Sequence, residues 1–342
     1  MNRQPIADAD VARLVDELRN TTEAITFFEF ATVMALKYFA EQKCDLVIWE
    51  TGLGGRLDAT NIVTPLASVI TNIQFDHERW LGDTLAKIAA EKAGIIKPGV
   101  PVITGVDDAE ALAVIEETAR QNNSELTLVT PTDAQRAGLD EIKLPLLGSH
   151  QRLNAALALA TVSALQSMLP VSSTAIHTGL AQVRWPGRMQ LVELPDGRKI
   201  LLDGAHNPAG AETLRAALVE YFPNARPGLI LGALADKDSG SMCEVLAPLA
   251  QRVWCVRVGS ERTADSERLA DSCRRANPNA EVHACASLAD AWRAAVDESF
   301  VVIAGSLYLI GEALDLMQLN APASTDEKRL NEWGGGAVPP RV

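Results

Sequence analysis

Residues 49–61 read WETGLGGRLDATN and follow the apolar run Leu46-Val47-Ile48. A strand that ends in clustered glycines is the usual setting of a phosphate loop, so this stretch decides which kind of α/β protein the chain is. A loop of the G-x-x-x-x-G-K-[ST] kind needs lysine after its last glycine. Here Arg56 follows Gly55, and none of the 23 glycines in the chain is followed by lysine. The dinucleotide pattern G-x-G-x-x-G fails as well, because Gly52-Leu53-Gly54 runs on into Gly55, Arg56 and Leu57. What remains is an apolar strand, DLVIWE (45–50), that delivers Glu50 at its carboxyl end. An acid in that position can hold the metal on ATP, directly or through water, while the glycines let backbone approach a ligand. It can equally be a strand-end acid that caps a turn.

Outward from this stretch, strand-like and helix-like segments alternate, the pattern of an α/β fold. Helical periodicity covers 8–20, 26–42, 83–93, 108–122, 150–169 and 172–183, with strands at ASVITNI (67–73) and VPVITGV (100–106). A second region starts near Trp185-Pro186-Gly187. Its strands are KILLD (199–203), GLILGAL (228–234), RVWCVRV (252–258), AEVHAC (280–285) and FVVIAGS (300–306). Their regular spacing predicts a doubly wound, mostly parallel sheet. Residues 320–342 (NAPASTDEKRLNEWGGGAVPPRV) read as a disordered tail. No internal repeat is visible.

The 342 residues suggest two domains, and 47% hydrophobic residues suffice for a large core. A net charge of −13 disfavours nonspecific nucleic-acid binding, which needs a basic face. It leaves room for an anionic ligand held locally by backbone donors and a metal. No apolar run approaches the length of a membrane span, and MNRQPIADAD has no signal-peptide core. The five scattered cysteines form no CxxC and read as free thiols of a cytoplasmic protein, with no zinc site expected.

ETGLGGRLDATN resembles the central motif of the folylpolyglutamate synthase/dihydrofolate synthase family, a branch of the Mur ligase superfamily. Further blocks follow in family order: FDHERWLGDTLAKIAAEKAGIIKPGVPVITG (75–105), WPGRMQ (185–190), LLDGAHNPAGAETL (201–214), GALADKD (232–238) and IAGSLYLIGEAL (303–314). The likeness extends to about residue 319. It implies a Mur-ligase-type central ATPase domain over 1–184 and a Rossmann-like glutamate-binding C-terminal domain over 185–319. Family members begin with a G-T-N-G-K-G-S type phosphate loop and a short S-P-H-L segment, neither of which these residues contain. The central domain is therefore expected to be N-terminally incomplete, and ligation by this chain to be impaired.

The implied reaction is ATP-dependent joining of L-glutamate to dihydropteroate or a folylpolyglutamate through an acyl phosphate, a step of folate biosynthesis and one-carbon metabolism. The resemblance implies ATP and two Mg²⁺ sites as cofactors and a monomer with small-molecule substrates. It places Glu50 and His77 at magnesium, and Lys92 as a carbamylated lysine supporting a second metal. Read alone, His77 is a turn histidine and Lys92 a cation complementing a helix end. Thr26-Phe27-Phe28-Glu29 is a T-x-x-E capping box in its own right; the resemblance also sets it, with Leu57, Asp58 and Ala59, against the pterin. Asn154, Arg188 and Asp203 match ATP contacts, Asp203 also being a catalytic candidate with Lys92 and His206. His206, with Asn207 as N-cap and Pro208 opening the next helix, fits a site for the glutamate carboxylate. Two other readings stand beside this one: another Mur-type amino-acid ligase, and a non-catalytic family member.

Overall fold

The computed structural model describes residues 4–20, 25–136, 139, 142 and 144–319. The tail expected over 320–342 lies outside the described residues. The chain forms two compact units, one of residues 1–141 with 153–176, the other of 142–152 with 177–342.

The first unit opens with α1 (Asp8–Leu18) and α2 (Phe27–Glu41). Next come β1 (Ser68–Ile70), α3 (Glu78–Leu81), α4 (Leu85–Ala93), β2 (Val102–Thr104), α5 (Ala109–Gln121), β3 (Leu126–Leu128) and α6 (Pro131–Arg136). The expected capping box starts α2: Thr26 Oγ1 accepts from the Glu29 amide at 3.2 Å, and Glu29 Oε2 accepts from the Thr26 amide at 2.7 Å. Thr84 caps α4 and Asp108 caps α5 by a single bond each, accepting from the amides of Lys87 and Ala111. The three strands pair in parallel in the order β1-β2-β3, and α4 and α5, the helices on either side of β2, pack together. Ile70, Ile88, Val102 and Ile115 lie in the resulting core. Two helices straddle the division: α7 (Ser149–Ala164), which it cuts between Arg152 and Leu153, and α8 (Ser173–Ala181).

One expected strand is absent from this sheet. DLVIWE pairs with no described strand, and Ile48 is 88% exposed. A run of Leu, Val and Ile becomes a buried strand only if neighbours take its backbone hydrogen bonds and cover its side chains. Here a tether near its end does the holding. Trp49 Nε1 donates to the Thr60 carbonyl at 2.8 Å, and its ring meets Phe39 edge-on. The almost wholly apolar α2 is likewise only partly covered: among its described residues Thr32 alone is fully buried.

The second unit runs β4 (Gln190–Glu193), β5 (Lys199–Asp203), α9 (Pro208–Tyr221), β6 (Gly228–Leu231), α10 (Ser239–Leu246), β7 (Arg252–Val256), α11 (Ser266–Ala276), β8 (Glu281–Cys285), α12 (Leu288–Ala294), β9 (Phe300–Ala304) and α13 (Leu307–Leu316). Its sheet has the order β4-β5-β9-β6-β7-β8, and every neighbouring pair is parallel except β4–β5. Successive side chains feed two different cores: Leu201, Leu229 and Leu231 join one, Ile200, Leu202 and Ile230 the other. Both faces are covered, which is why these strands read as unbroken apolar runs. All five expected strands are present: β5 spans the expected residues, β6, β7 and β9 end two or three residues early, and β8 starts one residue late; β3 and the antiparallel β4 were not anticipated. Cys243, Cys255 and Cys273 are buried and Cys44 and Cys285 half-buried, all as free thiols. No described helix is long and apolar enough to cross a membrane.

Candidate functional site

The glycine stretch is a loop closed by one carboxylate. Asp58 Oδ2 accepts from the amides of Gly52 (3.1 Å) and Leu53 (2.8 Å), while Oδ1 accepts from the Thr60 amide at 3.0 Å and from the Thr60 hydroxyl. Desolvation pushes the Asp58 carboxyl up, but the bonds from Thr60, Leu53 and Gly52 outweigh it and hold the group below the usual carboxylate range. The loop is also clamped to the end of α4. The Arg56 amide donates to the Glu91 carbonyl at 2.7 Å, and its guanidinium reaches Glu91 Oε1 at 2.8 Å. Asn61 Nδ2 donates to the carbonyls of Arg56 (3.0 Å) and Gly94 (3.1 Å). The amides of Gly52, Leu53, Arg56 and Asp58 are thus occupied within the protein. A phosphate cradle needs such amides free to point at the anion, so this loop is not one.

The glycines serve close packing. A Cβ on Gly52 would stand 2.3 Å from Phe28 Cζ, and one on Gly55 3.0 Å from the carbonyl oxygens of both Glu91 and Lys92. Gly54 has φ +68°, where a side chain is strained. Phe28 therefore lies flat on the loop, and the loop lies flat on α4. Between them opens a cleft of ≈ 270 Å³ lined by Thr26, Phe28, Glu29, Leu53, Leu57, Asp58, Ala59, Trp80, Leu81 and Glu91. Six of the seven residues assigned to the pterin meet here; Phe27 is not among the lining residues. Leu53, Trp80, Leu81 and Glu91 were not singled out from sequence. The WLG triplet after His77, a tryptophan two residues before a glycine, is the signal that could have marked Trp80.

Lys92, on the last turn of α4, is half-buried. Burial pushes its ammonium down and Asp76 pulls it up, with a net lowering below the ordinary lysine value. A lowered value enlarges the uncharged, nucleophilic fraction of the amine at any given pH. Glu50 and His77 are solvent-exposed, and His77 precedes α3 in a left-handed conformation (φ +53°). Among the described residues no group of three or more His, Cys, Asp or Glu side chains is gathered to hold a metal. A Mg²⁺ at Glu50 and His77 would have to take most of its ligands from water and nucleotide phosphates, because this ion prefers oxygen donors and usually keeps several waters.

In the second unit the candidate residues gather at the carboxyl end of β5. Asp203 is 9% exposed, and its oxygens accept from the amides of Met189 (2.8 Å) and Ala205 (2.9 Å). Burial raises its pKa; those two hydrogen bonds and the charges of Arg188 and His206 only partly offset this. The bond to Met189 pins a strained turn, since Gly187 (φ +70°) and Met189 (φ +45°) are both left-handed. That turn presents Arg188, whose guanidinium passes so close to Gly204 that a Cβ there would be 3.0 Å from Nη1. His206 Nδ1 lies 2.8 Å from the Gly204 carbonyl oxygen, which fixes the proton on Nδ1 in the neutral ring. Asn207 caps α9, accepting from the Gly210 amide at 2.7 Å, and Pro208 follows at its first position. His150, not assigned from sequence, opens α7; burial and the charge of Arg188 hold its imidazolium down. Asn154 is exposed on α7 and belongs to the first unit.

Residues 187–307 match the model of the Mur ligase glutamate ligase domain, which makes the second unit part of an ATP-dependent amide-forming ligase. The chain is 34% identical over 340 residues to the dihydrofolate synthase/folylpolyglutamate synthase of Bacillus subtilis, covering 91% of this chain and 79% of that protein. It is 33% identical to the Escherichia coli enzyme of the same name, covering 86% and 70%. Solved structures agree. Folylpolyglutamate synthase from Thermotoga maritima superposes with TM-score 0.78 at 31% identity, covering 96% of this chain and 80% of that one. Escherichia coli FolC in complex with DHPP and ADP gives 0.80 at 30%, covering 92% and 77%. The Yersinia pestis bifunctional enzyme complexed with AMPPNP and Mn ion gives 0.80 at 29%, covering 92% and 77%. The chain belongs to the folylpolyglutamate synthase/dihydrofolate synthase family of the Mur ligase superfamily.

Proposed function

We propose that the protein binds dihydropteroate or a folylpolyglutamate and is built for ATP-dependent attachment of L-glutamate to it through an acyl phosphate. The observation that carries this reading is the cleft between α2 and the Asp58-closed loop, where the residues matched to the pterin site converge with Glu29 and Glu91 on its walls. Arg188 and Asp203 are the nucleotide contacts of the second unit, and Asn154 is the one assigned to the first. His206 and the capped start of α9 receive the glutamate carboxylate, which the amides and dipole of a helix N-terminus favour. Glu50 and His77 would hold Mg²⁺, which when bound would supply charge neutralisation for the nucleotide phosphates. Around it, the protein orients the two substrates and keeps the glutamate amine against the activated carbonyl. The sequence-based division at 184/185, a monomeric state and a cytoplasmic location complete the proposal.

Ligation by the 342-residue polypeptide is weak in this reading. It contains no glycine followed by lysine, and the Gly52, Leu53 and Arg56 amides of its central glycine loop are engaged with Asp58 and Glu91. Purified chain is expected to bind dihydropteroate or tetrahydrofolate saturably in competition with UDP-linked cell-wall precursors, and to form little glutamylated product from ATP, Mg²⁺ and labelled glutamate. Saturable binding of the UDP-linked compounds alone assigns the chain to another Mur-type branch. Turnover matching the Bacillus subtilis enzyme refutes the impairment.

Lys92 is carbamylated in this reading: its neutral amine attacks the carbon of CO₂, one C=O electron pair moves onto oxygen, and the nitrogen gives up a proton to water, leaving a carbamate anion that would support a second divalent metal. In ¹³C-bicarbonate the native chain should show a carbamate resonance that strengthens from pH 7 to 9, in the direction of the unprotonated amine, and is absent from Lys92→Gln. An identical spectrum in the variant removes the assignment.

A further inference from the structure

We propose that Trp80 is the stacking wall of the substrate cleft, the residue against which the planar ring of a pterin lies; this deepens the folate reading and rests on it. Trp80 sits on the one-turn α3 in a way the fold itself does not use. The turn is fixed at both ends by left-handed backbone, His77 at φ +53° and Gly82 at φ +106°. Leu81 anchors it inward, against Gly54, where a Cβ would stand 2.8 Å from Leu81 Cδ2. With Leu81 turned in, Trp80 is left 68% exposed on the cleft wall. An indole left in water forfeits a large burial free energy, which a flat aromatic ligand would recover. The Arg79 guanidinium covers the ring at 5.2 Å from its centroid, a cation–π contact that helps hold its orientation.

The remaining walls select the ligand class. Phe28 is held rigid by its contact with Gly52 and gives a second aromatic surface. Glu91 is braced by Arg56 through Oε1 alone, and Glu29 by the Thr26 amide through Oε2. Each carboxylate has further lone pairs, so the cleft rim is rich in acceptors. Two aromatic surfaces with acceptors at the edge suit a flat, donor-bearing heterocycle such as the amino-pyrimidinone of a pterin. They do not suit an anionic or purely aliphatic group in the cleft itself, which leaves the carboxylate of dihydropteroate outside these walls.

The experiment is calorimetric titration of dihydropteroate into the full chain as wild type, Trp80→Ala and Trp80→Phe, with urea unfolding as the check on folding. Trp80→Ala should bind about tenfold more weakly, and Trp80→Phe within roughly threefold of wild type, as expected when a ring face carries the contact. Wild-type tryptophan fluorescence should be quenched on binding, and the quench should shrink in Trp80→Phe. Equal affinity of Trp80→Ala and wild type, with the urea midpoint unchanged, overturns the proposal. If wild type takes up no pterin, the folate reading fails and the proposal with it, and that outcome is recognised because the unmodified chain is the one that does not bind.

Discussion

Gly94→Ala lowers the stability of the first unit by about 3 kcal/mol and weakens pterin binding by more than about tenfold, because a side chain there forces overpacking against fixed backbone. Gly94 has ordinary helical dihedrals (φ −60°, ψ −10°), so alanine meets no conformational penalty of its own. The added Cβ would stand 2.5 Å from Arg56 Cα and 2.3 Å from Arg56 Cβ. A backbone atom cannot step aside as a flexible side-chain tip can, so the loop has to lift off α4. Lifting breaks the Arg56–Glu91 backbone bond and the Asn61 bridge to the Gly94 carbonyl. It also moves Leu57, Asp58 and Ala59, three of the ten residues that line the cleft.

Two other glycines separate the causes. Gly99 has φ +73° with open space around it, so Gly99→Ala costs roughly 1 kcal/mol from backbone strain alone. Gly179 is helical with nothing within 4 Å, and Gly179→Ala should gain about 0.5–1 kcal/mol from helix propensity. Urea unfolding of the three variants, with dihydropteroate titration of each, checks the order. If Gly94→Ala unfolds no earlier than Gly99→Ala, the clamp between loop and helix is not what holds the cleft open.

The legible features were those that depend on local pattern. The five apolar runs of the second unit announced a sheet covered on both faces, and T-x-x-E before an apolar run announced a capped helix. HNP announced Asn207 and Pro208 at the start of another. Features that depend on a distant partner were not legible. Nothing near Gly94 says that Arg56 passes within van der Waals distance of it, and nothing near Asp58 says that its carboxylate ties back to Gly52 and Leu53. DLVIWE has strand composition, but a strand is defined by its neighbours, and among the described residues it has none. β4 was hidden inside WPGRMQLVE, where partial alternate burial gives a weaker signal than a fully covered strand. The candidate site divides in the same way: motif residues were found, while Trp80 and Glu91 entered only once the chain had brought them to the cleft.

Asp203→Ala should destabilise the second unit by roughly 3 kcal/mol, since it leaves two buried backbone donors, Met189 N–H and Ala205 N–H, without their acceptor. It also frees the left-handed Met189 to relax, and with it the turn that presents Arg188. Nucleotide affinity should therefore fall even though the variant retains every other side chain of the site. Asp203→Asn distinguishes a pin from a charge. Its amide oxygen can serve one of the two donors, but its –NH₂ faces the other, so the loss is smaller than for alanine but still present. The pH dependence has a definite sign. Burial raises the folded-state pKa of Asp203 above its unfolded value, so its ionised form is disfavoured in the fold. That cost is absent below the unfolded pKa and fully present above the folded one. Wild type accordingly loses stability from this group as pH rises through the window between them, whereas Asp203→Asn, with nothing to titrate, does not. Urea midpoints of wild type and Asp203→Asn from pH 4 to 8 should thus converge as pH rises. A gap that instead widens with pH means that the ionised carboxylate is favoured in the fold, and that the charge of Arg188 outweighs burial at this site.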